Sequence, residues 1–435
     1  MHVMLAVHCF FPSHFYGTET YTLELARGLM GRGHRVTVLS AVHSGEPQQE
    51  AEVIHYDFQG IPVISVDKNF RPNTRIRDTY YQPEHRTTLQ RVLRDEKPEV
   101  LHVTHLINHT GTLIEAAVVE DIPIMATFTD FFGFCYNCRL EATDGSHCRG
   151  PNERRTNCLA CHLKLAHMPS MPMMATACWA LTRLPAFNRG PLARIVSDIN
   201  QRPNILQALY RHYRLAISPT AFLREAYQAN ACCVPLHDIR FGTDIDRTPK
   251  PAAPAASPLR VGFIGQIAPH KGPDLLIDAV RACRPSSVQC TIHGPSDREP
   301  AYMKELHRRA LGLPVEFPGT FHPRDMALIL AGFDLLVIPS RWYENSPLVL
   351  LDALATHTPV IVSDARGLME FVTPGQNGFS FPLGDGKVLA LLLRELADNP
   401  ERVRNMSQDT SYPRTIGDMV VDTERLQFLA IENKR

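Results

Sequence analysis

The chain has 435 residues, 44% of them hydrophobic and 21% charged, which is enough for two or three domains with cores of their own. Its 45 Lys plus Arg balance its 45 Asp plus Glu, so whole-chain charge gives no pointer to nucleic acid, and no run reaches the roughly eighteen apolar residues of a membrane helix. The opening MHVMLAVHCFF lacks the basic start and small-residue cleavage site of an export signal, so the eleven cysteines are expected as reduced thiols or metal ligands in a cytoplasmic protein.

From residue 2, VMLAVHCFFP, FYGTE, TYTLELARGLMGRG and HRVTVLSA predict strand, glycine turn, helix over 21–30 and strand, with Gly31 and Gly33 as the helix stop. Such alternation builds a parallel sheet with covering helices. Gly17 in the turn would let a backbone come close to a ligand at the carboxyl end of the first strand. The stretch 99–132 gives strand, loop, helix and strand, and places His102, His105 and His109 near one strand end, a cluster that suits metal binding, sugar contact or polar packing.

Cys135, Cys138, Cys148, Cys158 and Cys161 follow, with two C-x2-C pairs nineteen residues apart. That spacing predicts a structural zinc site; an iron–sulfur cluster also fits four thiolates, and unliganded thiols are the plain alternative. Cys158 to His162 also reads as a haem attachment string, which requires export. Residues 163–214 hold one Lys and six Arg against the single acid Asp198, interleaved with methionines and Trp179. This suits peripheral contact with the inner face of a membrane or a lipid-phosphate acceptor, or else helices with solvated basic faces and a Met-filled core. YRLAISPTAFLREAYQA then reads as strand, cap and helix.

The Pro/Ala-rich run over 248–258 is a linker. Beyond it LRVGFIG, QIAPHKG, PDLLIDAVRACR and VQCTIHG restart the alternation, and Lys271, just before Gly272 at a helix start, is well placed for phosphate. FDLLVIPS and TPVIVSD are further strands. Between them Ser346 is expected as N-cap and Pro347 as first residue of a helix through LVLLDALA, whose free amides and positive end suit a diphosphate. Glu344 lies on the loop at its mouth and Asp352 eight residues on, leaning back toward the helix start. The expected domains are 1–247 with a cysteine-rich insert at 133–165, then 259–412, then a helix over 413–435 returning toward the first domain.

Glu344 and Asp352 as E-x7-D, with the flanking PS and PLVLLDALA, resemble the E-x7-E signature of retaining glycosyltransferases of family four. These adopt the GT-B architecture, two doubly wound, Rossmann-like α/β domains with parallel sheets facing across a cleft. FYGTE resembles the family's G-G-x-E loop with Tyr16 for its first glycine. HVTHL resembles its H-x-x-H-L segment, with His105 as the carry-over and Thr104 or His102 as alternative alignments; Thr129-Asp130 stands where His-Asp is usual. VGFIGQIAPHKG resembles the G-R…K-G loop with Gln266 for the Arg, and GLMEFVTPGQNGFSFPLGD resembles the closing turn and strand.

The resemblance implies transfer of a sugar from a nucleoside diphosphate donor to a glycan, lipid-linked or small-molecule acceptor, without a catalytic metal. It implies donor contacts at Gly17, Gly265, Gln266, Lys271, Asn345, Ser346, Pro347 and Leu348. Glu344 would position the sugar, Asp352 the ribose, and His105 the sugar near its anomeric carbon. A subset of the family has a similar cysteine insert with the pattern of Cys135, Cys148, Cys158 and Cys161, leaving Cys138 or Cys148 as the spare. The rival expectations are a nucleotide-sugar epimerase or phosphorylase on the same architecture, or a non-catalytic binding protein, to which the departures at Tyr16, Thr129, Gln266 and Asp352 point.

Overall fold

The computed structural model describes residues 1–432 apart from 44, 48, 169–171, 187, 249–257 and 298. Two compact units form, one from Met1–Arg240 with Ile416–Arg435, the other from Phe241–Thr415. Among the described residues no helix is long and apolar enough to cross a membrane.

The first unit is built on β1 (His2–Ala6), β2 (Arg35–Val42), β3 (Val53–Phe58), β4 (Ile61–Asp67), β5 (Val100–Val103), β6 (Ile124–Thr127), β7 (Tyr213–Ser218) and β8 (Leu236–Asp238). Their spatial order is β3-β4-β2-β1-β5-β6-β7-β8, parallel throughout except for the β3–β4 hairpin. That hairpin turns on Gln59 and Gly60, two successive left-handed residues whose twist suits a two-residue connection. β1 is buried along its whole length, which is why HVMLA shows no polar alternation. The winding reverses at β1, with β2 on one side and β5 on the other, so a ligand of this sheet belongs at the carboxyl ends of those two strands. The last helix, Ile416–Glu432, covers helix Gly17–Gly31 at Gly28, where a Cβ would lie 2.4 Å from Val420 Cγ2.

Between β6 and β7 three helices, Thr156–Leu165, Pro172–Leu181 and Pro191–Tyr210, enclose a small core of their own around Leu159, Leu163, Ala175, Val196 and Ile199.

The second unit holds β9 (Leu259–Ile264), β10 (Val288–His293), β11 (Val315–Gly319), β12 (Leu335–Ile338), β13 (Val360–Ser363) and β14 (Gly378–Phe381), all parallel, in the order β11-β10-β9-β12-β13-β14. Helices Pro273–Arg281 and Gly386–Asp398 bury Leu276, Ile277, Leu389 and Leu393 in its core. Its winding reverses between β9 and β12. The chain therefore has the expected pair of doubly wound α/β units.

Three details depart from expectation. The first helix starts at Gly17 rather than residue 21, with Tyr16 as its N-cap residue and the acid of FYGTE, Glu19, in its first turn, where a negative charge is favoured. The helix after Glu344 is Leu348–Ala355: Ser346 does not cap it, and Pro347 takes the N-cap position with ψ at 123°, because a proline fixes φ but leaves ψ free to stay extended. The units divide after Arg240 and Thr415 rather than at 247 and 412. The cause is bonding of 241–247 into the second unit, through Thr243 N to Arg414 O (3.2 Å) and Arg247 Nε to Tyr412 O (3.4 Å). Of the expected linker only residues 248 and 258 are among those described.

Candidate active site

In the second unit the loops leaving β9 and β12 start from neighbouring strand ends. After β9 come Gly265, whose amide donates to His293 O (3.1 Å), half-buried Gln266, and the short turn Pro269–Lys271. Gly272 ends that turn at φ 70°, and a Cβ there would sit 2.1 Å from Pro339 O, so only glycine lets the Lys271 loop nest against the end of β12.

Lys271 Nζ donates to Glu344 Oε1 at 2.6 Å, and Ser340 Oγ (2.7 Å) and Trp342 Nε1 (2.8 Å) donate to the same oxygen. Glu344 is 6% exposed. Burial alone would raise its carboxyl, but the Lys271 charge and the three hydrogen bonds prevail and hold it below the ordinary value. The adjacent Arg341 is held by Asp274 through paired bonds of 2.6 and 2.7 Å. Helix Leu348–Ala355 begins beside this loop with no side chain capping it, so its first amides and positive end keep their pull on an anion. Ser346 Oγ is shut from solvent without a hydrogen-bond partner among the described residues, and Asn345 is half-buried next to it.

Asp352, one turn into the helix, accepts a 2.6 Å bond from Thr243 Oγ1. Burial pushes its carboxyl up to about 6, against the opposing effects of that bond and of Arg247. Lys271, Glu344 and the helix start thus come together, while the bond recorded for Asp352 ties it to the segment that enters the unit. Thr243 carried no motif, and nothing in its sequence context pointed to it.

In the first unit the three histidines separate. His102 lies buried in β5 against Thr127 Oγ1 (2.8 Å) and Gln427 Nε2 (3.2 Å), and burial lowers it to about 3. His109 Nε2 meets Val7 O (2.8 Å) and Leu39 O (3.2 Å), and burial lowers it to about 4. Both are neutral supports of the strand ends. His105 differs: its Nε2 is 3.1 Å from Asp130 Oδ2, and its ring centroid is 4.4 Å from that of His8. His8 Nε2 in turn lies 3.4 Å from Glu19 Oε1, and burial first, then the neighbouring histidines, drives His8 well down.

This Glu19, His8, His105 and Asp130 constellation gathers the ends of β1, β5 and β6 at the reversal point of the sheet. Sequence reasoning passed over His8 and met Glu19 only as the acid of the FYGTE loop, although an imidazole soon after an apolar central strand was the available signal. Thr129 donates to Thr104 O at 3.2 Å. Gly17 faces open space, with nothing within 4 Å of a Cβ placed there.

Residues 15–139 match the model of Glycosyltransferase Family 4, and residues 244–411 match that of Glycosyl transferases group 1. The chain belongs to the family-four glycosyltransferases. One curated relative of this chain, the D-inositol 3-phosphate glycosyltransferase of Jonesia denitrificans, is 32% identical over 188 residues, 39% of this chain and 44% of that one. The matches span less than half the length of the curated relatives. Among solved structures, Anabaena Alr3699/HepE in complex with UDP and glucose superposes with a TM-score of 0.66 at 16% identity, over 98% of this chain and 99% of that one. Sucrose-phosphate synthase from Thermosynechococcus elongatus gives 0.67 at 16% identity, with full coverage of both chains. These likenesses show the GT-B fold.

None of the five cysteines of the insert is in a disulfide. Cys135 and Cys158 are buried, and burial pushes both thiols up; Cys161, half-buried, is pushed up to about 12. The thiols of Cys135 and Cys148 each add to the upward shift of Cys158 and of Cys161, whereas the charges acting on Cys138 are led by Asp130. Cys138 is left-handed at φ 60° and aims its Sγ at Cys135 O. Among the described residues no three His, Cys, Asp or Glu side chains form a group that could hold an ion.

Proposed function

We propose that this protein transfers a sugar from a nucleoside diphosphate sugar to a hydroxyl of a glycan, lipid-linked or small-molecule acceptor, with retention of anomeric configuration. The observation that carries the reading is the Lys271–Glu344 pair at the β9/β12 reversal, beside the uncapped start of helix Leu348–Ala355. As the bond from sugar to diphosphate breaks, negative charge builds on the leaving oxygen; Lys271 and the helix amides take up that charge. Glu344 receives the sugar hydroxyls, Gly265, Gln266, Asn345, Pro347 and Leu348 line the donor, and Asp352 receives the ribose in competition with Thr243. In the first unit, taken by itself, His105 held by Asp130, with open space at Gly17, offers a contact for a sugar hydroxyl.

Of the acceptors, a lipid-linked one is favoured by the basic stretch 163–214, which suits peripheral contact with a membrane. A cytoplasmic location goes with that reading, in which the eleven cysteines serve as reduced thiols or metal ligands rather than as a disulfide framework.

The deciding experiment is a panel of UDP-, GDP-, ADP- and dTDP-sugars, following release of nucleoside diphosphate with and without Glu344→Ala. UDP-glucose is the first donor to test, since the Anabaena protein is described with UDP and glucose. Release from one donor that the variant abolishes is expected. Binding without release would favour a non-catalytic protein, and no binding at all would end the reading.

Within the insert we propose structural zinc on four of Cys135, Cys138, Cys148, Cys158 and Cys161, with Cys138 or Cys148 as the spare thiol. What supports it is the spacing of the two C-x2-C pairs and the chemistry of sulfur ligands in a loop with few apolar residues to bury. Binding requires the thiols to draw together, since among the described residues no three such side chains form an ion-holding group as they stand. Bound zinc would hold the thiols as thiolates and staple the loop, taking no part in transfer. About one zinc per chain is expected on metal analysis; visible absorption would instead indicate an iron–sulfur cluster, and metal-free protein of equal stability would remove the proposal.

A further inference from the structure

From Arg154 to Ser197 the chain contains no Asp or Glu, yet it carries Arg154, Arg155, Lys164, Arg183, Arg189 and Arg194. Inside this acid-free stretch, helix Pro172–Leu181 is apolar on two opposite sides. One side packs inward: Ala175 is buried, and Met174, Cys178 and Trp179 rest on Leu159, Leu163, Val196 and Ile199. The other side is bare. Met173, Ala177, Ala180 and Leu181 are exposed, and Leu184 continues the row just beyond the helix, at the spacing of a single helical face. Met173 is 80% exposed. Leu165 and Met168, at the end of helix Thr156–Leu165, expose a further 61% and 51%.

A helix with apolar residues on both sides normally lies inside a core or against lipid, and this one has a core on one side only. The surroundings select the lipid. Arg183 and Arg154 place their guanidinium groups 4.8 and 5.1 Å from the Trp179 ring centroid, while Arg189 and Arg194 are exposed just beyond the helix. An apolar row on a stretch of chain that carries cations and no acid complements a surface that is apolar beneath and negative at its headgroups. A protein partner would not require that acids be missing over the whole stretch.

We propose that the outward face of helix Pro172–Leu181, with Leu165, Met168 and Leu184, docks on an anionic lipid bilayer. The helix lies in the plane of the interface, with Met173 and Leu181 entering the acyl boundary and the arginines at the phosphates. The inference rests on the membrane contact in the proposed function but not on turnover, so binding and donor hydrolysis are read separately.

The test is co-sedimentation of the full chain with phosphatidylcholine vesicles and with vesicles that also contain phosphatidylglycerol. The protein is expected to pellet with the anionic vesicles at low salt and to stay in solution with the neutral ones. Met173→Glu with Leu181→Glu should weaken partitioning by about tenfold or more with an unchanged thermal midpoint, since both side chains point away from the core. Arg189→Glu with Arg194→Glu, a second variant that leaves the apolar row intact, should weaken it by about tenfold at low salt and much less at high salt. Failure of the wild type to pellet with anionic vesicles at low salt would overturn the proposal. So would a Met173/Leu181 variant that pellets like the wild type, or a face found to be covered by a second copy, seen as a dimer that this variant dissociates. Vesicle binding without donor hydrolysis would leave the docking intact and sink the transfer reading; hydrolysis without vesicle binding would do the reverse.

Discussion

Replacing either member of the Lys271–Glu344 pair should destabilise the second unit, and by unequal amounts. Glu344→Ala leaves the Lys271 ammonium, the Ser340 hydroxyl and the Trp342 indole N–H without their shared acceptor. Breaking a buried ion pair from one side costs about 3–5 kcal/mol, and because the Lys271 side chain keeps 23% exposure its ammonium can turn to water, which places this variant near about 3 kcal/mol. In a unit of this size that lowers the midpoint by about 6–12 °C. Lys271→Ala strands the charge with only 8% side-chain exposure, so its loss at neutral pH should be larger.

The two variants should converge in acid, as the sign of the linkage requires. The folded Glu344 carboxyl lies below its ordinary 4.5, so its contribution is full above that value and is lost as pH falls through the lowered folded value. Urea melts at neutral and acid pH, with the double variant to measure coupling of about 1–3 kcal/mol, read all of this. Single variants within about 0.5 kcal/mol of the wild type would mean that the pair contributes nothing in solution, and the reasoning would fall.

Three further outcomes follow from the same unit. The Asp352 carboxyl is raised from 3.8 to about 6 in the folded state, so stability is greatest below the lower value and declines between the two as the proton is lost. Asp352→Asn should flatten that slope and gain about 1–3 kcal/mol at neutral pH; destabilisation there would show that the charge is wanted. Gly367→Ala would put a methyl 1.9 Å from Glu344 O, backbone that cannot swing aside, and is expected to cost about 1–3 kcal/mol and most donor hydrolysis. An unaffected enzyme would show that the Glu344 loop shifts freely. Gln266→Arg should tighten nucleoside diphosphate binding by about tenfold by calorimetry, through a charge-assisted bond to phosphate, and an unchanged Kd would place residue 266 away from the diphosphate.

Strand by strand, the sheets were readable because buried parallel strands such as HVMLA and FDLLVIPS are short apolar runs between turn signals. The helix after Glu344 was readable in existence but not in its first residue, since S-P is a strong helix-opening pair and only the ψ of Pro347, set by the loop, tells N-cap from first helical residue. Lys271 and Glu344 could be singled out separately; their direct bond depends on Gly272 nesting against Pro339, a contact across 67 residues that no local pattern records. The histidine trio stayed open among metal binding, sugar contact and polar packing for a related reason. Residues 102, 105 and 109 share a strand end in sequence, but His102 and His109 turn into the sheet, and the partners of His105 come from β1 and β6.

The helix Ile416–Glu432 belongs to the first unit although the whole of the second is made before it. On the ribosome, the eight strands of the first unit are complete by Asp238, yet the cover for Gly28 and the Gln427 partner of His102 are among the last residues translated. The first unit must therefore wait, with an apolar seam unsealed along helix Gly17–Gly31, until Met419, Val420, Leu426 and Ala430 arrive to close it. A nascent chain arrested anywhere within the second unit is left with that seam open to chaperones and proteases, so maturation of the first-made half is governed by the last-made helix.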